Sequence, residues 1–276
     1  MYNYHTEKET RIGTKHESLG MNNEDQALIF ESPNCVWMGV FDGVSHGGGG
    51  SIAATLASQS MESVLRESSD NNVYDNGLAI MKRAQESILS SRVIYPEKGM
   101  IQTTGAIACI DLRTNFLSWF SIGDSAVFIC HNRRKLKKLT VEDTDIGILL
   151  SQGKISAKEA AKATVGHELN RWLGMNVAPE SIDLYVRYGQ VKLKKNDIIL
   201  VCSDGLYSKV PEAVISRILH NKESTATLVK TAKLMGSKDD ITAICAKPNI
   251  RNLFFLKLNG LLILIVIFII VLSIIM

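Results

Sequence analysis

Short runs of apolar and β-branched residues, parted by polar turns, alternate along this chain with stretches of helical periodicity. Residues 27–31 and 35–41 read as strands separated by Ser32-Pro33-Asn34, a turn signal. A glycine-rich bend from Ser45 to Gly50 leads into helical spacing over 51–66, and a second helix fits 76–91. Runs near 104–112, 115–122, 126–131 and 135–140 have the spacing of an antiparallel meander. Residues 140–174 are more polar and read as helical, with Ser156 as a cap and Glu159 completing a capping box. Strands are expected again near 182–189 and 197–202, helices near 211–219 and 224–235, and a last strand near 241–246. Strands, then helices, then strands without βαβ alternation predict an α+β fold of two packed antiparallel sheets flanked by helices.

The chain has 276 residues, and the pattern predicts one domain over 1–247 with a single large core. From Leu258 to Met276 the sequence is almost wholly apolar (LNGLLILIVIFIIVLSIIM). As a helix it would span about 28 Å, close to the hydrocarbon thickness of a bilayer. A transmembrane helix is therefore expected over 258–276, joined by a juxtamembrane connector over 248–257. Lys247, Arg251 and Lys257 precede it and no basic residue follows it, which predicts a single-pass protein with its N-terminal domain in the cytoplasm. Residues 1–19 are polar and charged, so no N-terminal signal is visible.

Charge and cysteine usage narrow the class further. A net charge of +3 gives no reason to expect a nucleic-acid partner, and the basic run from Arg133 to Lys138 reads as a solvated hairpin. Cys35, Cys109, Cys130, Cys202 and Cys245 stand singly in apolar runs, the pattern of small core residues in a reducing compartment.

The candidate chemistry lies in four acidic clusters: Asn23-Glu24-Asp25, Asp42-Gly43, Asp204-Gly205 and Asp239-Asp240. Three of them adjoin apolar β-prone runs (VWMGVF, DIILVCS, ITAICA), which puts carboxylates at strand ends where they can converge. Crowded carboxylates repel unless a divalent cation neutralises them. Hard oxygen ligands favour Mg²⁺ or Mn²⁺, and no Cys/His cluster suits structural zinc.

These clusters belong to a longer ordered set: Asn23-Glu24-Asp25, Phe41-Asp42-Gly43, Thr103-Thr104-Gly105, Gly123-Asp124-Ser125, Asn170-Arg171-Trp172-Leu173-Gly174, Cys202-Ser203-Asp204-Gly205 and Asp239-Asp240-Ile241-Thr242. The set resembles the metal-dependent serine/threonine protein phosphatases of the PP2C family over residues 20–247. The resemblance implies a four-layer α/β/β/α sandwich and a mobile lid over 140–174. It implies two ions, with Asp42 bridging both, Asp204 and Asp239 holding one, and Glu24 with the Gly43 carbonyl holding the other. It further implies that Asp25 orients the attacking water and that Asp124 helps hold a weaker third ion. Substrates would be phosphoproteins, membrane-associated ones if the tail is an anchor, and the enzyme a monomer. His46 has two readings, a proton donor to the leaving oxygen or an exposed loop residue.

The departures from the family pattern define the alternatives. Gly20 stands where bacterial members carry a phosphate-clamping arginine, and Arg11, Lys15 or His16 are the candidates to replace it. Asp240 stands where asparagine is common, and Ala126 follows Gly123-Asp124-Ser125 where arginine is usual. A second reading is therefore a membrane-tethered phosphatase-like module that binds phosphoproteins with little turnover. A third takes Gly43-Val44-Ser45-His46-Gly47 as the elbow of a serine esterase with Ser45 as nucleophile, which leaves the other acidic motifs unexplained.

Overall fold

The computed structural model describes residues 4–44, 48–68, 72–131, 135–221 and 223–249. Ser45, His46 and the whole predicted membrane span over 258–276 lie outside the described residues. Among the described residues no helix is long and apolar enough to cross a membrane.

In chain order the strands are β1 (Tyr4–Arg11), β2 (Gln26–Glu31), β3 (Cys35–Phe41), β4 (Gly43–Val44), β5 (Gln102–Thr103), β6 (Gly105–Asp111), β7 (Phe116–Ile122), β8 (Ala126–His131), β9 (Lys135–Lys138), β10 (Arg187–Lys192), β11 (Ile198–Cys202) and β12 (Ile241–Pro248). Among the described residues they form two five-stranded sheets, β1-β12-β11-β8-β9 and β10-β7-β6-β3-β2, and a short β4-β5 ribbon. The pairs are antiparallel. An esterase built on parallel βαβ units is therefore excluded as the frame for Ser45.

Strand alternation builds the layers. On β3, Val36, Met38 and Val40 face the seam between the sheets, where they meet Val127, Ile129, Val201 and Ile244. The intervening Trp37 and Phe41 face outward, against the helices α2 (Gly50–Glu67) and α3 (Val73–Ile94) that follow the short α1 (Thr14–Ser18). Five further α-helices follow among the described residues: α4 (Asp145–Ser151), α5 (Ala157–Ala160), α6 (Asp204–Tyr207), α7 (Glu212–His220) and α8 (Thr225–Leu234). The last two cover the other sheet, with Ile215, Leu219, Leu228 and Ala232 on Phe128, Leu200 and Cys245. All five cysteines are free and buried, as the sequence pattern implies.

Four elements differ from expectation. The polar β1 is a true strand, zipped along its length to β12 from Tyr4↔Pro248 to Arg11↔Ile241. An edge strand needs few apolar residues, which is why hydrophobic alternation does not reveal it. The expected meander breaks after β7, because the chain crosses from one sheet to the other at Gly123. That residue has φ +93 and a Cβ there would lie 2.8 Å from Thr104, so only glycine fits. Residues 140–174 hold only α4 and α5 in helix, although Ser156 and Glu159 do form the expected capping box. The strand expected near 182–189 begins later, as β10 at Arg187, because Pro179–Leu184 is a 3-10 helix whose opening proline pre-sets the turn.

Residues 170–177 are pinned to α3 instead of hanging free. Gln85 is fully buried; its amide donates to Met175 O at 2.8 Å and Val177 O at 3.0 Å, and its Oε1 accepts from Gly174 N at 2.6 Å. Gln85→Leu removes the partner of Gly174 N and of Val177 O, while Met175 O keeps Val177 N at 2.8 Å, and should lower the unfolding free energy by about 2–4 kcal/mol in urea titration. A loss below about 1 kcal/mol would show that this clamp is unimportant.

Candidate metal centre

The acidic motifs all emerge at one end of the sandwich. Glu24 and Asp25 precede β2, Asp42 follows β3, Asp124 lies between β7 and β8, Asp204 opens α6 after β11, and Asp239 and Asp240 precede β12. Strands that leave two packed sheets at a common edge bring residues nearly 220 positions apart into one electrostatic field. Burial drives the Asp42 carboxyl well above its ordinary range, and Asp25, Asp204, Asp124 and Asp239 push it further. Asp204 is raised in the same way, by burial and then by Asp124 and Asp239. Burial takes Asp25 up to about 7 despite hydroxyl donors from Thr242 and Ser203, with Asp240 and Asp204 adding to the rise.

Backbone contacts hold these groups in place. Asp42 O accepts from Thr104 N at 2.9 Å and from Thr103 Oγ1 at 2.8 Å, while Asp42 N donates to Thr104 Oγ1 at 3.2 Å. Gly43 N donates to Glu24 O at 3.2 Å, and a Cβ at Gly43 would meet the Gly50 backbone at 2.4 Å. Ser203 Oγ donates to Asp25 Oδ2 at 2.8 Å and accepts Thr242 N at 3.0 Å. The other Asp25 oxygen, Oδ1, is buried without a hydrogen-bond partner.

An orphaned buried carboxylate oxygen among mutually repelling acids is the environment that a hard divalent cation relieves. The donor set therefore fits Mg²⁺ or Mn²⁺. No three His, Cys, Asp or Glu side chains among the described residues form a ready-made cage.

The protein phosphatase 2C family profile matches residues 12–243. The chain belongs to this family of metal-dependent serine/threonine protein phosphatases. A serine/threonine phosphatase stp of Listeria welshimeri is 26% identical over 239 residues, covering 84% of this chain and 92% of the relative. In fold, the phosphatase resembles the crystal structure of Stp1 from Staphylococcus aureus, with a TM-score of 0.76 at 20% identity over 89% of this chain and 95% of the other. It also resembles the catalytic domain of PstP in complex with 2 manganese ions, with a TM-score of 0.71 at 21% identity over 90% and 99% of the two chains.

Within this phosphatase, Asp240 is not an idle neighbour of Asp239. Its carboxylate is buried and accepts Gly13 N at 2.6 Å, Glu24 N at 2.7 Å and His16 Nδ1 at 2.9 Å. The far side of the His16 ring, Nε2, lies 3.8 Å from Glu24 Oε2. His16 is thus built into the acidic cluster and is too enclosed to replace the arginine absent at Gly20. Arg11 and Lys15 are exposed beside the last motif, Arg11 opposite Ile241 and Lys15 N bonded to Lys238 O. His46 lies outside the described residues.

Two contributors escape sequence reasoning. Asp143, fully buried, accepts Gly123 N at 3.0 Å and Arg187 Nε at 2.8 Å, so it sets the turn that presents Asp124. Lys8 lines a cavity of about 400 Å³ together with Thr10, Asn23 and Asp25. Asp143 stands in the acidic run Glu142-Asp143-Thr144-Asp145, which adjoins no long apolar strand, and Lys8 sits in a polar stretch with no motif of its own.

Asp240→Ala strands two amides and an imidazole, so urea unfolding should show a loss of about 3–5 kcal/mol. The acids also predict a pH signature. Asp25, at about 7 in the fold against an ordinary 3.8, is progressively deprotonated in its buried site as pH rises. A raised carboxyl favours the fold at low pH and loses that contribution as pH climbs through the folded value, so Mn²⁺ should raise Tm more at about pH 8 than at about pH 5. Equal shifts at both would contradict the assignment.

Proposed function

We propose that this phosphatase hydrolyses phosphoserine and phosphothreonine in proteins, using water activated between two divalent ions, Mg²⁺ or Mn²⁺. Asp42 would touch both ions, Asp204 and Asp239 one, and Glu24 with the Gly43 carbonyl the other. The observation that carries this reading is the shared field in which Asp42 is raised by burial and by Asp25, Asp204, Asp124 and Asp239. When bound, such a pair lowers the pKa of water and neutralises charge in an in-line phosphoryl displacement.

The chain's own residues orient and anchor. Asp25, steered by Ser203 Oγ through one oxygen, leaves the other to direct the attacking water. Thr103 and Thr104 fix the Asp42 backbone, and Asp240 fixes that of Glu24. Arg11 or Lys15 grips the substrate phosphate from the mouth, and His46 protonates the leaving serine or threonine oxygen.

The apolar segment over 258–276 serves as a single-pass anchor, with the domain over 1–247 on the cytoplasmic side and working as a monomer. Its support is the length of the apolar run and the basic residues that precede it. Tethering raises the effective concentration toward phosphoproteins of the same membrane. The alternative, a binding module with little turnover, rests on Gly20 standing where a phosphate-clamping arginine would.

The full chain should release phosphate from a phosphothreonine peptide only with Mn²⁺ or Mg²⁺, and Asp42→Asn should cut turnover by at least about 100-fold. Metal binding by calorimetry without turnover would favour the binding module. The chain should remain in alkali-washed membranes, and deletion of residues 251–276 should release it; a full chain that washes off would end the anchor reading.

A further inference from the structure

Of the four strands that edge the two large sheets, β1 is the longest, with eight residues against six in β2 and β10 and four in β9. Its free side can be read from the ladder behind it. Ser203 N donates to Thr242 O at 3.0 Å, and the β11–β12 register continues from that pair to Ile199↔Ala246. Backbone direction alternates along a strand, so Thr242, Ile244 and Ala246 turn their amides and carbonyls to β11, and the residues between them turn theirs to β1. The partners on β1 are Arg11, Glu9, Glu7 and His5. Thr6, Lys8 and Thr10 are left with N–H and C=O groups aimed away from the sheet, and among the described residues no backbone hydrogen bond takes them up.

An open edge of this length invites pairing, and a lysine that projects into solvent is a common guard against it. Here the Lys8 ammonium is engaged elsewhere: Nζ donates across to Ala27 O at 2.9 Å and ties β1 to β2. Thr6 Oγ1 does the same farther along, donating to Glu31 Oε1 at 2.7 Å. The upper end of the edge runs into the acidic centre. Thr10 Oγ1 accepts from Asn23 Nδ2 at 2.8 Å, and Asn23 Oδ1 accepts Asp25 N at 2.8 Å. The cavity of about 400 Å³ lies at this end, with Lys8, Glu9 and Thr10 on one side and Asn23, Asp25 and Gln26 on the other. It joins the open edge to Asp25, whose Oδ1 is buried without a partner.

We propose that β1 is the docking edge for the substrate chain. The segment of a phosphoprotein beside its phosphorylated serine or threonine lies extended along β1 as one more strand, paired with the backbone of Thr10, Lys8 and Thr6. The cavity receives that segment where it turns toward Asp25, which brings the phosphorylated side chain to the acidic centre. The inference rests on the reading of this centre as a protein phosphatase. Main-chain pairing carries affinity whatever the side chains are, so the edge selects an extended, unfolded segment and not a particular sequence.

The test is an N-methyl scan of the substrate. The full-length chain in detergent micelles with Mn²⁺ is given a series of phosphothreonine peptides, each methylated at one backbone amide, and KM is read from phosphate release. Along one flank every second methylation should raise KM about 5- to 10-fold, and those between should change it less than about two-fold. Fluorescence anisotropy of the same peptides on the Asp42→Asn chain should show the same alternation in Kd. A flat scan in both readouts overturns the proposal and needs no β1 variant to fold; a flat scan from a chain that sediments as a dimer gives the edge to a second copy and overturns it equally. Lys8→Pro removes one outward N–H and spares the β1–β12 ladder, so it should raise KM for the unmethylated peptide by a similar factor. Lys8→Ala keeps that N–H, and a rise as large as the proline's would make the ammonium the contact and overturn the proposal. Wild type that releases no phosphate with Mn²⁺ would strike the phosphatase reading, and the anisotropy scan would still decide the docking edge.

Discussion

The Asp240 carboxylate joins the two ends of the domain, and the acidic centre depends on that junction. It takes up the Gly13 and Glu24 amides and the His16 ring, groups more than 210 residues away in sequence. The β1–β12 ladder runs up to the same point, from Tyr4↔Pro248 to Arg11↔Ile241. Local contacts in the first 25 residues go only part of the way: Asn23 Oδ1 accepts Asp25 N at 2.8 Å and Asn23 Nδ2 donates to Thr10 Oγ1 at 2.8 Å, but α1 has only five residues and its cap lacks a side-chain hydrogen bond. Contacts of such long sequence separation carry a greater loop-closure cost than those of the local hairpins. The centre is complete only once the last strand has met the first.

Against this stands the electrostatic strain of the acids themselves. Asp25, Asp42, Asp124 and Asp204 are all raised by burial and by neighbouring acids, which means that the fold holds these carboxyls closer to like charge than they would choose. What resists their separation is the stiff frame behind them. The seam between the sheets is filled by Val36, Met38, Val40, Val201 and Ile244, and the strand ends cannot drift without disturbing it. Polar clamps then take over where the core stops: Thr104 with Ser125 at 2.7 Å, Ser203 with Asp25, Asp143 with Gly123.

The layers of the fold were legible because alternation on strands such as β3 and periodicity on α2 and α3 are written in apolar residues. The acidic residues were legible because each sits next to such a strand end. What was hidden is what depends on partners far off in sequence. The polar β1 gives no apolar signal, His16 looks like any charged-loop histidine, and Asp240 differs from Asp239 only in what the fold brings to it. Lys138 sat in a basic run whose neighbours suggested solvent, and only the approach of Tyr207 from α6 removes it from that class. Residues 140–174 misled in the other direction, since a good capping box at Ser156 nucleates a single short helix there.

The direction of β12 has a geometric consequence for reach. Its first residue adjoins the acidic edge and its last, Pro248, leads toward the apolar tail, with Tyr4 of β1 alongside. Eight residues at about 3.3 Å each separate those ends by roughly 25 Å. With the tail anchored as proposed, the working edge can stand off the bilayer by as much as the length of that strand, and the nine residues 249–257 have the reach to add up to roughly 30 Å. Such a tether sets a ceiling of a few nanometres on the height at which a phosphorylated side chain can be met.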